Sequence, residues 1–99
     1  MTPETIRLVK LISQASGETV RAITGRERRR PLPALRWMVG RELMQRGYSG
    51  NYAAREIGLD HNTLRHGIEQ LKVMALDVNW HPEQMIAAEF YRLLDSETV

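Results

Sequence analysis

Residues 57–71 read IGLDHNTLRHGIEQL, and the spacing of their apolar side chains decides the fold that we predict. Four apolar residues recur at intervals of four, three and four, the spacing of one helix face: Leu64, Ile68, Leu71 and Ala75. Asp60 is a favourable N-cap residue, and Gly58 permits a tight turn just before it. The stretch therefore predicts a helix that runs from Asp60 to about Ala75 and turns one apolar face toward the core.

Five further helices are predicted from N-caps, glycine stops and apolar spacing along the rest of the chain. They cover residues 3–16, 18–24, 32–46, 50–57 and 82–94. The apolar residues that we expect to face the core include Ile6, Val20 and Met85. No segment alternates polar and apolar residues with the period of two that is typical of a strand. We therefore predict a single all-α domain of six helices over residues 1–99.

The composition is that of an ordinary globular protein and excludes several classes of protein. Hydrophobic residues make up 42% and charged residues 26% of the chain, which is typical neither of a disordered nor of a membrane protein. No run approaches the roughly 18 apolar residues of a transmembrane helix, and the N-terminus lacks the pattern of a secretory signal. Without cysteine there is no disulfide and no cysteine-based zinc site. We expect a cytoplasmic protein without membrane attachment.

Positive charge is concentrated in the middle of the chain, although the overall net charge is only +2. Residues 21–72 carry eleven arginine and lysine residues against five aspartate and glutamate residues, a net charge of +6. The densest part is the loop 25–31, GRERRRP, which contains Arg26, Arg28, Arg29 and Arg30. Such a distribution favours a polyanion partner, since the guanidinium group suits phosphate and guanine edges. A general preference of the genome for arginine over lysine is the alternative explanation.

A short helix, a glycine turn and a longer helix follow one another in residues 49–75, which is the order of a helix-turn-helix. In that motif the first residues of the second helix reach base edges in the major groove, where asparagine, threonine, aspartate and arginine side chains all have partners. The candidate base contacts are therefore Asp60, His61, Asn62, Thr63 and Arg65. Simpler interpretations stand beside these: Asp60 as a plain N-cap, His61 as a packing residue, and the other three as solvated residues.

The chain lacks the residues that a metal site or a catalytic site would need. His61 and His66 are five positions apart, roughly 140° around a helix, which does not match the spacing of zinc-binding helices. His81 is the only other histidine. The serines have no nucleophile-elbow setting, and no glycine-rich phosphate loop is present. We expect no enzyme activity, no metal and no cofactor.

Residues 58–67, GLDHNTLRHG, resemble a signature close to G-x-D-H-T-T-V-x-H-A in a family of bacterial replication initiators. The signature belongs to the C-terminal duplex-DNA-binding domain, domain IV, of DnaA. The order of the predicted helices, the basic loop with its Arg-Pro pair and the segment Arg41-Glu42-Leu43 extend the resemblance over nearly the whole chain. It implies a six-helix, TrpR-like helix-turn-helix fold that binds a short asymmetric box in double-stranded DNA.

The resemblance also implies a role for each part of the site. Residues 60–63 would read bases in the major groove, and the residues that open the preceding helix, Ser49 and Gly50, would clamp a phosphate. Arg30 would enter the adjacent minor groove, with Arg28 and Arg29 as neighbouring alternatives. Arg26 to Arg30 would thus position the DNA, and residues 60–65 would specify its sequence.

Two departures from the family pattern bear on the target. Leu59 stands where the family has arginine and Asn62 where it has threonine, so we expect a different box. In the family an ATPase module precedes this domain, and we expect none ahead of Thr2. We expect a nucleoid-associated monomer of bacterial or phage type that acts in transcription regulation or replication control, alone or joined to another protein. The alternative is a protein-interaction adaptor that has kept the fold and lost specific DNA binding.

Overall fold

Six α-helices and one short 3-10 turn make up the described chain. The computed structural model describes residues 1–97, and residues 98–99 of the predicted domain lie outside the described part. The helices are α1 (Pro3–Ser16), α2 (Val20–Thr24), α3 (Leu32–Gln45), α4 (Gly50–Glu56), α5 (His61–Met74) and α6 (His81–Glu97). A 3-10 turn at Val78–Trp80 joins α5 to α6, and residues 1–97 contain no strand. The predicted all-α class with six helices is confirmed.

Four of the helices begin with a side-chain cap, and the capping residues are Thr2, Thr19, Ser49 and Asp60. Each side-chain oxygen accepts a hydrogen bond from a first-turn backbone N–H that has no partner inside its own helix. The cap at Thr19 was not predicted. Its hydroxyl accepts from the N–H of Ala22 at 3.0 Å, so α2 begins at Val20 and not at residue 18.

The core is arranged around α3, which contacts the other five helices. Four of its side chains are fully buried, as predicted: Leu32, Leu35, Val39 and Leu43. The neighbouring helices bury Leu8, Ile12, Leu64 and Phe90 against them. Each fully buried leucine or phenylalanine contributes about 1.5–3 kcal/mol by leaving water, so this single core supplies most of the favourable free energy of folding.

The predicted core faces of α5 and α6 were wrong at Ala75 and Met85, which are exposed. The first turn of α6 instead directs Glu83 inward, and Met85 lies about 200° further around the helix. Met74 takes the core position predicted for Ala75. The side-chain amide of Gln84 donates to the carbonyl oxygen of Met74 at 2.8 Å, which closes α5 one residue earlier.

A carboxylate in α4 holds the start of α1. Oε1 of Glu56 accepts hydrogen bonds from the backbone N–H of Thr2 at 2.8 Å and from the hydroxyl of Thr5 at 2.7 Å. The N–H of Thr2 is the main reason that the pKa of Glu56 is lowered. Because Thr5 is thereby drawn into the interior, its neighbour Ile6 is exposed, contrary to the prediction. Val20 is exposed as well, since the single turn of α2 buries only Ile23.

Two glycines allow helices to approach one another closely around α5. A Cβ atom on Gly40 of α3 would lie 2.5 Å from Cδ1 of Leu64. A Cβ atom on Gly67 of α5 would overlap the indole ring of Trp37. These contacts seat α5 against α3 along one side and leave its other side exposed. Within residues 1–97, no helix combines the length and the hydrophobicity needed to cross a membrane.

Candidate nucleic-acid interface

A tight turn sets the position of α5 relative to α4. Gly58 has a φ of 74°, a left-handed conformation that glycine adopts without strain, and the N–H of Leu59 donates to the carbonyl oxygen of Ala54 at 2.8 Å. Leu59 is half-buried and packs against the core, while Ile57 is buried. Leu59 therefore fixes the turn by packing.

Asp60 and Thr63 bind each other at the start of α5. Oδ1 of Asp60 accepts from the backbone N–H of Thr63 at 2.9 Å, and Oδ2 accepts from its hydroxyl at 2.7 Å. The backbone N–H of Thr63 is the main cause that lowers the pKa of Asp60. The carboxylate therefore acts as an N-cap. The Thr63 methyl group and the remaining lone pairs of both side chains stay exposed.

Asn62 and Arg65 lie on the exposed side of the first turns of α5. Their only side-chain contact within residues 1–97 is a long hydrogen bond of 3.4 Å from Nη2 of Arg65 to Oδ1 of Asn62. Such a bond is near the limit of useful geometry, so both groups can turn to another partner at little cost. Asn62 and Arg65 therefore keep most of their hydrogen-bonding capacity for an external partner.

His61 is exposed and also lies against the start of α4. A Cβ atom on Gly50 would fall 2.7 Å from Nε2 and 2.8 Å from Cδ2 of the imidazole. The packing interpretation and the base-contact interpretation of His61 are therefore compatible, because one edge of the ring touches Gly50 while the side chain remains exposed. Ser49, whose hydroxyl accepts from the N–H of Tyr52 at 3.1 Å, lies beside this contact.

The arginines of the loop 25–31 divide into engaged and unengaged side chains. Arg26 and Arg28 are exposed and form no side-chain hydrogen bond or ion pair with residues 1–97. Arg29 donates to both oxygens of Glu18, at 2.7 and 3.0 Å, and to Glu27 at 3.1 Å. The hydrogen bond from Arg29 is the main cause that lowers the pKa of Glu18. Arg26 and Arg28 are thus the guanidinium groups most available to an external anion.

Arg30 is the most firmly held arginine of the loop. Its Nε and Nη2 atoms each donate to one oxygen of Glu83 at 2.9 Å, and Nη2 also donates to the carbonyl oxygen of Asn79 at 3.0 Å. The guanidinium carbon lies 4.1 Å from the ring centroid of Trp80. The peptide bond from Arg30 to Pro31 is cis. Glu83 is buried, which by itself would raise the pKa of its carboxyl group; the hydrogen bonds from Arg30 outweigh this effect and hold the pKa below the ordinary value.

Arg30 and the polar tip of α5, residues 60–65, lie at opposite ends of that helix. Arg30 and Trp80 line a small cavity together with Met74, the last residue of α5. His61 opens the helix thirteen residues earlier, which corresponds to about 20 Å at 1.5 Å per residue. The structure thus brings Gly50, and with it Ser49, together with the start of α5, while Arg30 lies near the other end of the helix.

The sequence did not reveal the close packing of Trp37 against Gly67. The indole fills the space beside Gly67 behind the exposed side of α5 and so supports the helix from the core. Gly67 itself was the signal. A glycine inside a predicted helix lowers helix stability by about 1 kcal/mol relative to alanine and marks a close approach of another group. Within residues 1–97, no group of three or more histidine, aspartate or glutamate side chains is placed to hold a metal ion.

Comparisons with protein-family models, with curated proteins and with solved structures found no match to this chain.

Proposed function

We propose that this chain binds double-stranded DNA in a sequence-specific manner through a helix-turn-helix formed by α4 and α5. The observation that carries the proposal is the amphipathic division of α5. Leu64 and Leu71 are buried, while the opposite side of the first turns is exposed and polar. A helix seated on one face with unengaged hydrogen-bonding groups at its N-terminus is the arrangement that reads the major groove.

Each side chain at the start of α5 would contact a different group of the DNA. Asn62 and Arg65 are the principal base readers, since asparagine can bond adenine at two positions and arginine can do so with guanine. Thr63 offers its methyl group to a thymine methyl, and Asp60 presets the hydroxyl of Thr63 by binding it. His61 contacts the base or phosphate nearest the start of α4, where Ser49 and Gly50 meet the backbone.

The basic loop positions the duplex. Arg26 and Arg28 bind phosphates without giving up any contact within residues 1–97, whereas Arg29 would have to exchange an ion pair. Arg30 can enter a minor groove only in a bound state in which DNA replaces Glu83. Arg30 lies near the C-terminal end of α5, about 20 Å along the helix from its first residue, so the loop would contact the duplex outside the groove that the start of α5 enters.

The finer assignment of the fold and the biological setting are also part of the proposal. The helix order, the caps at Ser49 and Asp60 and the glycine turn support a domain IV-like arrangement of the DnaA type. The protein would act as a monomer in the cytoplasm, at the nucleoid, in transcription regulation or replication control. Asn62 and Leu59 make its target differ from the box of that family.

A selection from randomised duplexes tests the proposal most directly. We expect one enriched motif, with an affinity whose logarithm falls linearly with the logarithm of the salt concentration, by about 0.9 for each phosphate contact. Enrichment without sequence preference would contradict the reading of bases by the tip. Binding that is absent at low salt would contradict DNA binding altogether.

A protein-interaction adaptor is the second candidate, and one observation favours it. Large apolar side chains are exposed around the end of α5 and the start of α6: Val73, Leu76, Val78 and Met85. Leu76 is 91% exposed, which is unusual for a leucine in a folded chain and is typical of a contact surface. Retained DNA specificity in a Leu76→Ser variant, together with lost discrimination at one base position in Asn62→Ala, would favour the DNA proposal over the adaptor.

A further inference from the structure

A cavity of about 300 Å³ lies between α3, α5 and α6, beside the C-terminal half of α5. Its wall is largely apolar and includes Met38, Leu71, Met74 and Ala87. This volume is at the lower end of the range of pockets that bind small molecules. The cavity is partly open to solvent and contains none of the candidate DNA contacts.

One cation on this wall lacks an acidic partner. Nη2 of Arg41 donates to the hydroxyl of Tyr91 at 2.6 Å. The Nε atom of the same guanidinium is buried and has no hydrogen-bond partner among the described residues. Arg41 also forms no ion pair with any carboxylate in residues 1–97. Because almost all buried N–H groups in folded proteins have a partner, this nitrogen marks a place where an acceptor is missing.

The other polar groups on the wall are already engaged. Glu83 is buried and both of its oxygens accept hydrogen bonds from Arg30. The side-chain nitrogen of Gln84 donates to two backbone carbonyl oxygens, those of Met74 and Asp77. These bonds also satisfy carbonyl groups at the end of α5, which would otherwise repel an anion. The uncompensated charge of the cavity wall is therefore the positive charge of Arg41.

We propose that this cavity binds a small monocarboxylate with an apolar body of roughly six to ten carbon atoms, a size that its volume admits. A modest rotation of the Arg41 side chain would bring the Nε–H and the neighbouring Nη2–H to the two oxygens of the carboxylate, a bidentate arrangement that suits guanidinium. The apolar body would lie against Leu71 and Ala87. The proposal is independent of DNA binding, since none of these residues belongs to the candidate interface.

Titration of the ¹⁵N-labelled chain with phenylacetate and with octanoate tests the proposal by NMR. We expect saturable shifts at the amides of Leu71, Ala87 and Tyr91, with dissociation constants of about 0.1–1 mM for ligands of this size. The uncharged analogue 2-phenylethanol should bind about tenfold more weakly, because it lacks a charge-assisted hydrogen bond to Arg41. Equal affinity for phenylacetate and 2-phenylethanol, or no saturable shift below about 10 mM, would overturn the proposal.

Two variants provide matched controls, each checked for native helix content by circular dichroism. Ala87→Leu fills the cavity from α6 without altering Arg41 and should weaken phenylacetate about tenfold or more. Arg41→Gln should remove the preference for phenylacetate over 2-phenylethanol while leaving the weaker apolar binding. Undiminished binding of phenylacetate to a folded Ala87→Leu variant would place the ligand elsewhere and overturn the assignment of the cavity.

Discussion

The imidazole of His61 lies so close to Gly50 that a Cβ atom on that glycine would fall 2.7 Å from Nε2. This contact joins the first residues of α4 and α5, the two helices of the proposed reader. Since the atom that would be met is at the far end of an exposed side chain, it can move away without disturbing the core. Gly50 therefore affects the orientation of the His61 side chain more than the stability of the fold.

Gly50→Ala should accordingly change DNA recognition and leave stability nearly unaltered. We expect a shift in the free energy of unfolding of less than about 1 kcal/mol, because alanine also favours the helix relative to glycine. The specificity at the base nearest His61 should fall, as measured by a randomised-duplex selection. Asn51→Ala, at an exposed neighbouring position of α4, is the control and should change neither quantity. An unaltered selection in Gly50→Ala would show that the contact has no part in recognition.

Asn62→Ala and Arg28→Ala should separate base reading from phosphate binding. The asparagine variant should lose discrimination at one base position by about 1–3 kcal/mol, since a bidentate bond to adenine is removed. The arginine variant should weaken all sequences alike and reduce the salt slope by about 0.9. Competition binding against single-base variants of the selected motif, repeated over a salt series, measures both effects. Equal losses for all sequences in Asn62→Ala would contradict its assignment as a reader.

Much of this surface could be anticipated from the order of residues alone. Periodicity placed Leu64 and Leu71 in the core, and residue type placed the cap at Asp60, because both signals are local. The partners of Arg29 and Arg30 could not be read from the sequence. Glu18 and Glu83 lie eleven and 53 positions away, and only the packing of α6 against the loop brings the second pair together.

The error at Met85 has the same physical origin. Met85 looked like a core residue because it is apolar, whereas Glu83 is buried because a guanidinium neutralises it. A pattern that sorts residues by hydrophobicity cannot detect compensation by a distant charge. The sequence also could not predict the position of His61, because it was compatible with both packing and base contact. In the structure the ring touches Gly50 and remains exposed.

Gly67→Ala should destabilise the fold through Trp37. The added methyl group would overlap the buried side of the indole, and overpacking of this kind costs about 1–3 kcal/mol, partly offset by the better helix propensity of alanine. Chemical denaturation measures the change. In a double-mutant cycle, Trp37→Leu should make the alanine substitution nearly neutral, because the smaller side chain vacates the space. Additive losses in that cycle would locate the strain elsewhere.

The ion pair of Glu83 and Arg30 should make stability depend on acidity in a predictable direction. The pKa of Glu83 is lowered from its ordinary 4.5, chiefly by the hydrogen bonds from Arg30. The stabilisation is therefore complete above pH 4.5 and is lost as the pH falls toward the lowered value. Other carboxylates behave similarly, so the informative quantity is the difference in unfolding free energy between the wild type and Glu83→Gln. This difference should shrink as the pH falls below 4.5. A difference that is constant with pH would contradict the assignment.

Removing the two members of this pair should have unequal effects. Arg30→Ala leaves a buried carboxylate without its counter-ion, whereas Glu83→Gln leaves an arginine that can turn to solvent. The melting temperature at neutral pH should therefore fall further in Arg30→Ala than in Glu83→Gln, as differential scanning calorimetry would record. The reverse order would indicate that Glu83 is stabilised mainly by groups other than Arg30.

The bond from Glu56 to the backbone of Thr2 has a practical consequence for handling the protein. It anchors the first residues of the chain at the end of α4, just before the turn that leads into the proposed reading helix. A purification tag fused at residue 1 would therefore emerge beside that turn. For binding measurements, residue 1 is best left without an extension.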